Sequence, residues 1–344
     1  RIEPLKNEVQ SDPLFLNTFP SARPKILIIG SGPAGLFAAL TLSKKGFSPI
    51  ILERGQPVEI RGRDIGALGA RNILNPESNY CFGEGGAGTW SDGKLTTKIG
   101  KNSEEVREVL KMLVEMGAPA KILTDGKPHL GTDRLVRILR TIRLELEGLG
   151  ASYMFGTKVS DVIVKGEKVK GVRLEDGSMI KADVVVLAVG HSARPLYEKL
   201  LHAGLELTPK PFSAGFRAEH PQDLINSIQY GPYASKVDKG NGPIPVADYK
   251  LTATNLGSRK NSDVYSFCMC PGGQIVSTSV DPKELCINGM SFSKRSSKWA
   301  NAAIVVGISP DDVIKDIGCK FKDHPMKGVY WQKEMERRAA KAGG

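Results

Sequence analysis

A glycine-rich turn between a predicted strand and a predicted helix most constrains how this chain can fold. The apolar segment 25–29 leads into Gly30-Ser31-Gly32-Pro33-Ala34-Gly35, and the helix-like segment 36–42 follows. In a dinucleotide-binding turn the first glycine permits the tight turn, the second lets the backbone approach a pyrophosphate, and the third lets the helix pack closely on the strand. A second apolar segment, 49–52, completes a strand–helix–strand unit. The sequence therefore predicts a Rossmann-like α/β fold that binds a dinucleotide.

An acidic residue follows the second predicted strand directly. Glu53 stands where a carboxylate accepts hydrogen bonds from an adenosine ribose diol. Its charge disfavours a ribose that carries a phosphate, so the position favours FAD or NAD over NADP. The structural alternative is an ordinary α/β domain with a glycine turn, which does not need the acid.

Two further segments favour flavin as the cofactor. The strand-like segments 159–164 and 169–174 predict a β-meander that returns the chain to a buried strand, 184–189, which ends at Gly190. The loop 82–94 holds five glycines, whose backbone amides suit contact with a flavin ring or a pyrophosphate. A flexible surface loop is the alternative interpretation of that segment.

The rest of the chain divides into a tail and two predicted domains. Residues 1–23, with three prolines, are expected to be a linker or tail, and 24–207 to form the FAD-binding domain, with amphipathic helices at 103–116 and 132–147. Residues 208–344 are expected to form a sheet-rich α+β substrate domain. Its predicted strands are 212–219, 245–252, 264–268, 274–280 and 285–290, and its predicted helix is 329–342.

Composition excludes several classes of protein. The longest apolar runs are far shorter than the ~20 residues of a membrane-spanning helix. The net charge is +11, but aromatic residues make up only 6% of the chain and do not interleave with a basic stripe, so nucleic-acid binding is not predicted. Five scattered cysteines form no disulfide framework and no metal-ligand pattern.

Several longer motifs give the chain a resemblance to one family. They are Glu53-Arg54-Gly55 with Arg61 and Arg63, the segment 78–89, and the segments 127–133, 190–194, 219–222, 266–273 and 288–291. Together they resemble the FAD-dependent, NAD(P)-utilising dehydrogenases of unassigned substrate, found in bacteria and plastids, within the glutathione-reductase-type flavoproteins. The resemblance implies an FAD-dependent oxidoreductase with NAD(P)H as a candidate electron donor. The sequence of residues 289–300 resembles the plastid members most, which implies a plastid location, or a cytoplasmic one if the chain is bacterial.

The resemblance also implies particular contacts with the cofactor. Val159 would touch the adenine through its backbone, and either Arg61 or Arg63 would reach the phosphates or the ribityl chain. No catalytic residue and no metal site are predicted, and substrate and oligomeric state stay open. The candidate cofactor-binding residues are Gly30, Ser31, Gly32, Pro33, Ala34, Gly35, Glu53, Arg54, Arg61, Arg63, Gly85, Gly86, Gly88, Thr89, Val159 and Gly190.

One departure from the family pattern concerns the end of the chain. Family members close the flavin site with a late Gly-Glu-Gly-Ala-Gly-Tyr-Ala-Gly-Gly type segment, and nothing after Gly190 matches it. We therefore expect a fragment or shortened product that lacks the C-terminal part of the fold and binds FAD weakly or not at all. Two alternatives stay open, an NAD-dependent dehydrogenase without flavin and a catalytically degenerate FAD-binding scaffold protein.

A few reactive side chains lie outside these motifs. Alternation along a strand predicts that Cys268 and Cys270 point to one face as small core residues, with a redox pair as the alternative. His191 follows Gly190 and is a candidate for a hydrogen bond to flavin. His129 and His220 stand beside prolines and are expected to make turn hydrogen bonds. Lys94 either neutralises a flavin or substrate anion or is a solvated loop lysine.

Overall fold

The computed structural model describes residues 23–95, 103–254 and 263–343. The predicted linker 1–23 therefore lies outside the described residues, except for Arg23. Through the first half of the chain, helices and strands alternate before a run of short strands. In order these elements are β1 (Ile26–Ile29), α1 (Pro33–Lys44), β2 (Ile50–Leu52), α2 (Val58–Arg71), α3 (Glu104–Glu115), α4 (Thr132–Gly148), β3 (Ser152–Met154), β4 (Val159–Lys165), β5 (Lys168–Leu174), β6 (Met179–Lys181), β7 (Val184–Leu187) and α5 (Arg194–His202).

A parallel sheet of four strands, in the order β3-β2-β1-β7, carries the strand–helix–strand unit. β1 is buried at all four positions because elements cover both faces of the sheet. Side chains of α1, α3 and α4 form the core on one face, and those of β4, β5 and α5 form it on the other. The predicted strand–helix–strand unit is confirmed, as is the return of the chain beside β1 after the β4-β5-β6 meander. β7 itself is only half-buried, because it forms an edge of the sheet.

Local signals account for the bounds of two predicted helices. The Ser103 hydroxyl accepts a hydrogen bond from the Val106 amide and caps the start of α3, as the sequence predicts. Both α3 and α4 lie within a residue of their predicted limits. In contrast, α2 was not predicted, because its three glycines lower helix propensity and interrupt the apolar pattern.

The second half of the chain contains antiparallel sheets. Its elements are β8 (Phe212–Pro221), α6 (Gln222–Tyr230), β9 (Thr252–Ala253), β10 (Val264–Cys270), β11 (Gly273–Ser277), β12 (Ile287–Ser291), β13 (Trp299–Ile308), α7 (Ile314–Ile317) and α8 (Lys327–Gly343). The four strands of one sheet lie in the order β8-β13-β10-β9, and β11 and β12 form a hairpin. The central strand β13 was not predicted as a strand, although its end falls on the apolar run 304–308.

Three sequence predictions in this half are wrong. Only Thr252 of the predicted strand 245–252 lies in a strand, because the backbone there pairs with side chains of α6: the Asn226 carbonyl accepts from the Ala247 amide, and the Gln222 amide donates to the Ala247 carbonyl. His220 lies within β8 rather than in a turn. Strand alternation also fails at Cys268, because β10 has a bulge there.

Side-chain ion pairs connect the last helix to the first half of the chain. Arg194, at the start of α5, donates to both carboxylate oxygens of Glu336 in α8, at 2.8 and 2.9 Å. It also lies 3.3 Å from the buried Glu284 carboxylate. None of the helices in the described ranges has the length and apolar character needed to cross a membrane.

Candidate functional site

A cavity of about 640 Å³ opens at the carboxyl ends of β1, β2 and β7. Because these strands are parallel, their carboxyl ends lie at one edge of the sheet, which is where open α/β sheets bind ligands. The volume lies within the range of ligand sites. The glycine-rich segments that line it are the β1–α1 turn (Gly30, Gly32, Pro33, Ala34) and the loop after α2 (Gly83, Gly86, Ala87, Gly88).

The β1–α1 turn has room only for glycine at two positions. Gly30 has φ +102°, and a Cβ there would lie 2.4 Å from the Ala188 carbonyl oxygen. A Cβ on Gly35 would lie 1.9 Å from the Gly30 carbonyl oxygen, so Gly35 lets α1 pack against the turn. Both findings agree with the roles that the motif predicts for these glycines.

Gly32 differs from these two because its missing side chain leaves open space. It caps α1 with φ −72°, which any residue adopts, and its nearest neighbour across the cavity wall is the Gly86 Cα, 3.7 Å from an ideal Cβ. The first turn of α1 contains Pro33 and no acidic residue. The positive end of the helix dipole therefore meets an open, glycine-lined wall, an arrangement that suits a phosphate group.

Glu53 connects the two glycine segments. One carboxylate oxygen accepts from the Ser31 amide and hydroxyl at 2.9 and 2.8 Å, and the other accepts from the Gly55 and Gly83 amides at 2.9 and 3.0 Å. A carboxylate offers about four acceptor positions, so protein donors fill them. Glu53 lines the cavity, but a ribose hydroxyl would bond to it only if the Ser31 hydroxyl turned away.

Arg61 supports the glycine loop from behind. Its guanidinium is fully buried and donates to the carbonyl oxygens of Asn79, Tyr80, Gly83 and Glu84, while it also lies over the Trp90 ring at 4.6 Å. Burial lowers the pKa of Arg61 to about 10. Arg63 is exposed on α2. Neither arginine lines the cavity, and their contact with a cofactor stays a prediction.

Glu84 in the same loop is buried and bonded to the start of α2. Its carboxylate accepts from the Val58 amide at 2.8 Å, and the other oxygen lies 3.3 Å from the Arg143 guanidinium. Desolvation exceeds these stabilising contacts and raises the pKa of Glu84 to about 7. The loop that lines the cavity therefore rests on two buried ionisable groups, Arg61 and Glu84.

The open side of the cavity carries charged and polar side chains. Arg54 stacks on the Phe82 ring at 3.6 Å and pairs with Glu77 at 2.6 Å, and Lys158 pairs with Glu77 at 3.3 Å. Val159 lines the cavity beside Lys158. On the opposite wall Gly190 has φ +68°, and its carbonyl oxygen accepts from the Tyr197 hydroxyl at 2.7 Å.

The predicted residues thus fall into two groups. Those that line the cavity are Gly30, Gly32, Pro33, Ala34, Glu53, Arg54, Gly86, Gly88, Val159 and Gly190, while Ser31, Gly35, Arg61, Arg63, Gly85 and Thr89 lie behind or away from it. His191, which the sequence offers as a candidate for a hydrogen bond to flavin, also lines the cavity. Sequence reasoning did not name Cys81, Lys158, Tyr197 and Lys199, which line it as well. The one available signal for Lys158 was its position next to Val159.

Three other candidates lie outside the cavity. Lys94 pairs with the buried Asp92 at 2.6 Å and donates to the Met269 carbonyl oxygen, so it is not a solvated lysine. The His129 ring lies 3.3 Å from the Ser293 carbonyl oxygen, and the His220 ring 2.8 Å from the Tyr249 hydroxyl. Within the described ranges, histidine, cysteine and acidic side chains form no group that could hold a metal ion.

The arrangement fits a dinucleotide such as FAD in most respects. Gly32 and Gly86 leave space where a Cβ would intrude, and the α1 N-terminus offers amides to a pyrophosphate. The ribose diol is the exception, since the Glu53 carboxylate is already bonded to Ser31 and the loop. The geometry alone does not separate FAD from NAD, because both carry the pyrophosphate and the adenosine ribose.

Comparison with known families supports FAD as the cofactor. Residues 25–85 match the FAD binding domain, and residues 211–344 match the family described as FAD-dependent protein, C-terminal domain-like. Among solved structures, CtdE in complex with FAD is 17% identical and covers 93% of this chain and 68% of its own, with a TM-score of 0.37. THI4 from Thermovibrio ammonificans is 22% identical, and the match covers 55% of this chain and 67% of THI4, with a TM-score of 0.35.

Curated relatives match between about half and nearly all of the chain. An uncharacterized protein of Clostridium beijerinckii is 41% identical over 94% of this chain and 57% of its own length. Thiamine thiazole synthase of Methanococcus vannielii is 27% identical over 52% of this chain and 56% of its own length. Protein FixC of Escherichia coli K12 is 27% identical over 59% of this chain and 44% of its own length. The chain spans about half the length of these relatives. The two family matches together show that the chain is similar to an FAD binding domain followed by a C-terminal domain of the FAD-dependent type.

Proposed function

We propose that this chain is the FAD-binding part of a flavoprotein dehydrogenase or reductase of the glutathione-reductase type, acting on a small molecule. The observation that carries the proposal is the cavity at the carboxyl ends of β1, β2 and β7, where Gly32 and Gly86 face each other beside the α1 N-terminus. The match of residues 25–85 to the FAD binding domain supports FAD over NAD as the occupant.

The bound flavin would supply hydride and electron transfer, and the protein would supply binding and position. In this proposal the α1 amides bind the pyrophosphate and the Gly86–Gly88 backbone contacts the cofactor from the opposite wall. Arg61 and Glu84 hold that wall in place through their contacts with the loop. Ser31 regulates access to Glu53, because its hydroxyl occupies an acceptor position that a ribose hydroxyl would need.

The electron donor is part of the same proposal. NAD(P)H is the donor that the family resemblance implies, and a plastid is the location that it implies. Anaerobic mixing of the flavin-loaded protein with NADH or NADPH tests the donor, because a donor bleaches the visible flavin absorbance. Import of the fluorescently tagged full-length precursor into isolated chloroplasts tests the location.

The cofactor itself is tested by binding. The purified chain would be titrated with FAD and, separately, with NAD by calorimetry, and its absorbance spectrum recorded for the flavin bands. We expect FAD to bind and NAD not to compete with it. Binding of NAD without FAD would instead support the flavin-free dehydrogenase, and tight FAD that no reductant bleaches would support the scaffold alternative.

A substitution in the turn assigns the binding to this cavity. Gly32→Ala places a methyl group 3.7 Å from the Gly86 Cα, an ordinary contact that leaves the protein able to fold but fills the phosphate path. We expect at least a tenfold loss of FAD affinity, roughly the 1.4 kcal/mol that a tenfold change in binding represents. Gly69→Ala, on α2 with no atom within 4 Å of the added Cβ, is the matched control and should bind as the original chain does. Equal FAD affinity in both variants would place the cofactor elsewhere.

A further inference from the structure

Two cysteines in β10 have a geometry that the proposed flavin function does not use. Phe267 pairs with Ala303 and Cys270 pairs with Asn301, so three steps along β10 oppose two steps along β13. The extra residue makes a β-bulge, and Cys268 within it has φ +45°, a conformation that residues other than glycine seldom adopt. The strand is therefore compressed between the two cysteines. Such strained positions concentrate at functional sites.

The bulge brings the two cysteines into contact. The Cys270 thiol donates a hydrogen bond to the Cys268 carbonyl oxygen at 3.4 Å. In a regular strand, residues two apart stand near the upper limit of the Cα separation that a disulfide bridges. A compressed strand shortens the Cα separation, so this limit does not prevent a disulfide between the two cysteines.

Burial distinguishes the two thiols. Cys270 is fully buried, and an ideal Cβ on Gly289 would lie 2.6 Å from its Sγ, so the wall behind it is closely packed. Cys268 is half-buried and is therefore the more exposed of the two residues. An outer thiol with an inner partner in contact is the arrangement of an attacking and a resolving cysteine.

Positive charge surrounds the outer thiol. The Arg217 guanidinium donates to the Cys268 carbonyl oxygen at 3.3 Å, and the Lys94 ammonium donates to the Met269 carbonyl oxygen. The hydrogen bond from Cys270 lowers the pKa of Cys268, with Lys94 and Arg217 adding to the effect, while burial opposes it. The same contact raises the pKa of Cys270, as do burial and the nearby Asp92 carboxylate. Asp92 in turn pairs with Lys94 and Arg295, which limits its effect.

We propose that Cys268 and Cys270 form a redox-active dithiol that exchanges with the disulfides of small thiols. The Cys268 thiolate attacks one sulfur of a disulfide RSSR, forms a mixed disulfide and releases RS⁻. Cys270 gives its proton to the released thiolate and attacks the Cys268 sulfur, which expels the second RS⁻. The two cysteines are oxidised to one disulfide, and RSSR is reduced to RSH and RS⁻, so that atoms and electrons balance.

Oxidised glutathione is the probe that tests the exchange. After incubation with it, free thiols are blocked with iodoacetamide and the protein is digested with trypsin. The tryptic peptide 261–283 contains Cys268 and Cys270 and no other cysteine. We expect this peptide to lose two hydrogens and to escape alkylation. A peptide that remains fully alkylated, while the exposed Cys319 becomes glutathionylated, would overturn the proposal.

Two serine variants separate the attacking from the resolving role. In Cys270→Ser we expect a glutathione adduct to accumulate on Cys268, because the resolving thiol is missing. In Cys268→Ser we expect no glutathione adduct on Cys270, because that thiol is buried. Cys319→Ser is the matched control and should leave the disulfide in 261–283 unchanged. Equal adducts in the first two variants would contradict the assigned roles.

The pH profile of alkylation tests the contact between the thiols. In Cys270→Ser the hydroxyl still donates to Cys268, whereas Cys270→Ala removes the donor. We therefore expect the iodoacetamide rate of Cys268 to rise with pH at a higher midpoint in Cys270→Ala than in Cys270→Ser. Identical midpoints would show that the thiols do not interact, and would refute the proposal independently of whether the chain binds FAD.

Discussion

Replacement of Arg61 by Met tests whether buried hydrogen bonds or the cost of burying a charge decides the stability of the glycine loop. The guanidinium donates to four backbone carbonyl oxygens between Asn79 and Glu84. Hydrogen bonds from a charged donor contribute about 1.5–3 kcal/mol each, so four of them contribute at least about 6 kcal/mol. Methionine keeps an unbranched apolar stem and removes every donor.

The opposing contribution is the desolvation of the cation. Burial lowers the pKa of Arg61 well below its ordinary value, to about 10, which corresponds to about 3 kcal/mol against the charged form. Because the hydrogen bonds exceed this cost, Arg61→Met should lower the free energy of unfolding by about 3 kcal/mol. The loss should appear first in the loop 79–89, whose carbonyl oxygens lose their donor.

Urea unfolding followed by tryptophan fluorescence measures the stability, and hydrogen exchange of peptides spanning 79–89 locates the loss. Arg63→Met is the matched control, since Arg63 lies on the same helix and is exposed, and its effect should stay within about 0.5 kcal/mol. If Arg61→Met is as stable as Arg63→Met, or more stable, then desolvation outweighs the hydrogen bonds and the reasoning fails.

Two further substitutions test the turn and the pH dependence of the loop. Gly35→Ala places a Cβ 1.9 Å from the Gly30 carbonyl oxygen and should lower the free energy of unfolding in urea by about 3 kcal/mol or more. Gly66→Ala, in open space on α2, is the control and should raise that free energy by up to about 1 kcal/mol. Equal stabilities of the two variants would contradict the close packing of α1. The pKa of Glu84 rises from 4.5 to about 7, so its contribution is fully present below pH 4.5 and falls by about 3 kcal/mol as the pH rises to 7. Glu84→Gln should remove this slope from unfolding free energies measured across that range, and the exposed Glu145→Gln should keep it; a slope that survives in Glu84→Gln would assign it to another group.

The sequence predicts elements whose signals are local and misses those that depend on distant partners. β1 and α1 are defined by an apolar run and a glycine turn, and α3 by the Ser103 cap, all within a few residues. α2 has no such signal, because its glycines weaken it. Arg61 helps to hold α2 in place by donating to carbonyl oxygens some twenty residues ahead. No local sequence pattern could reveal these contacts.

The segment 245–252 shows the same limit from the opposite direction. Its apolar residues predict a strand, and Val246 and Ala247 are indeed buried. Burial alone does not make a strand, because the backbone also needs hydrogen-bond partners. Side chains of α6, about twenty residues earlier in the chain, provide them at Ala247 and Asp248, so the segment is buried without joining the sheet there.

Glu53 shows how a correct sequence position can acquire a second task in the fold. The motif places a carboxylate at the end of β2, and the structure has one there, on the wall of the cavity. Its acceptor positions are filled by Ser31 of the first glycine segment and by Gly55 and Gly83 of the loop side. A ribose hydroxyl that displaces the Ser31 hydroxyl would leave the backbone bonds to Ser31 and Gly83 intact. The two glycine walls would then stay joined while the proposed cofactor binds, so ribose recognition and support of the cavity are compatible tasks for Glu53.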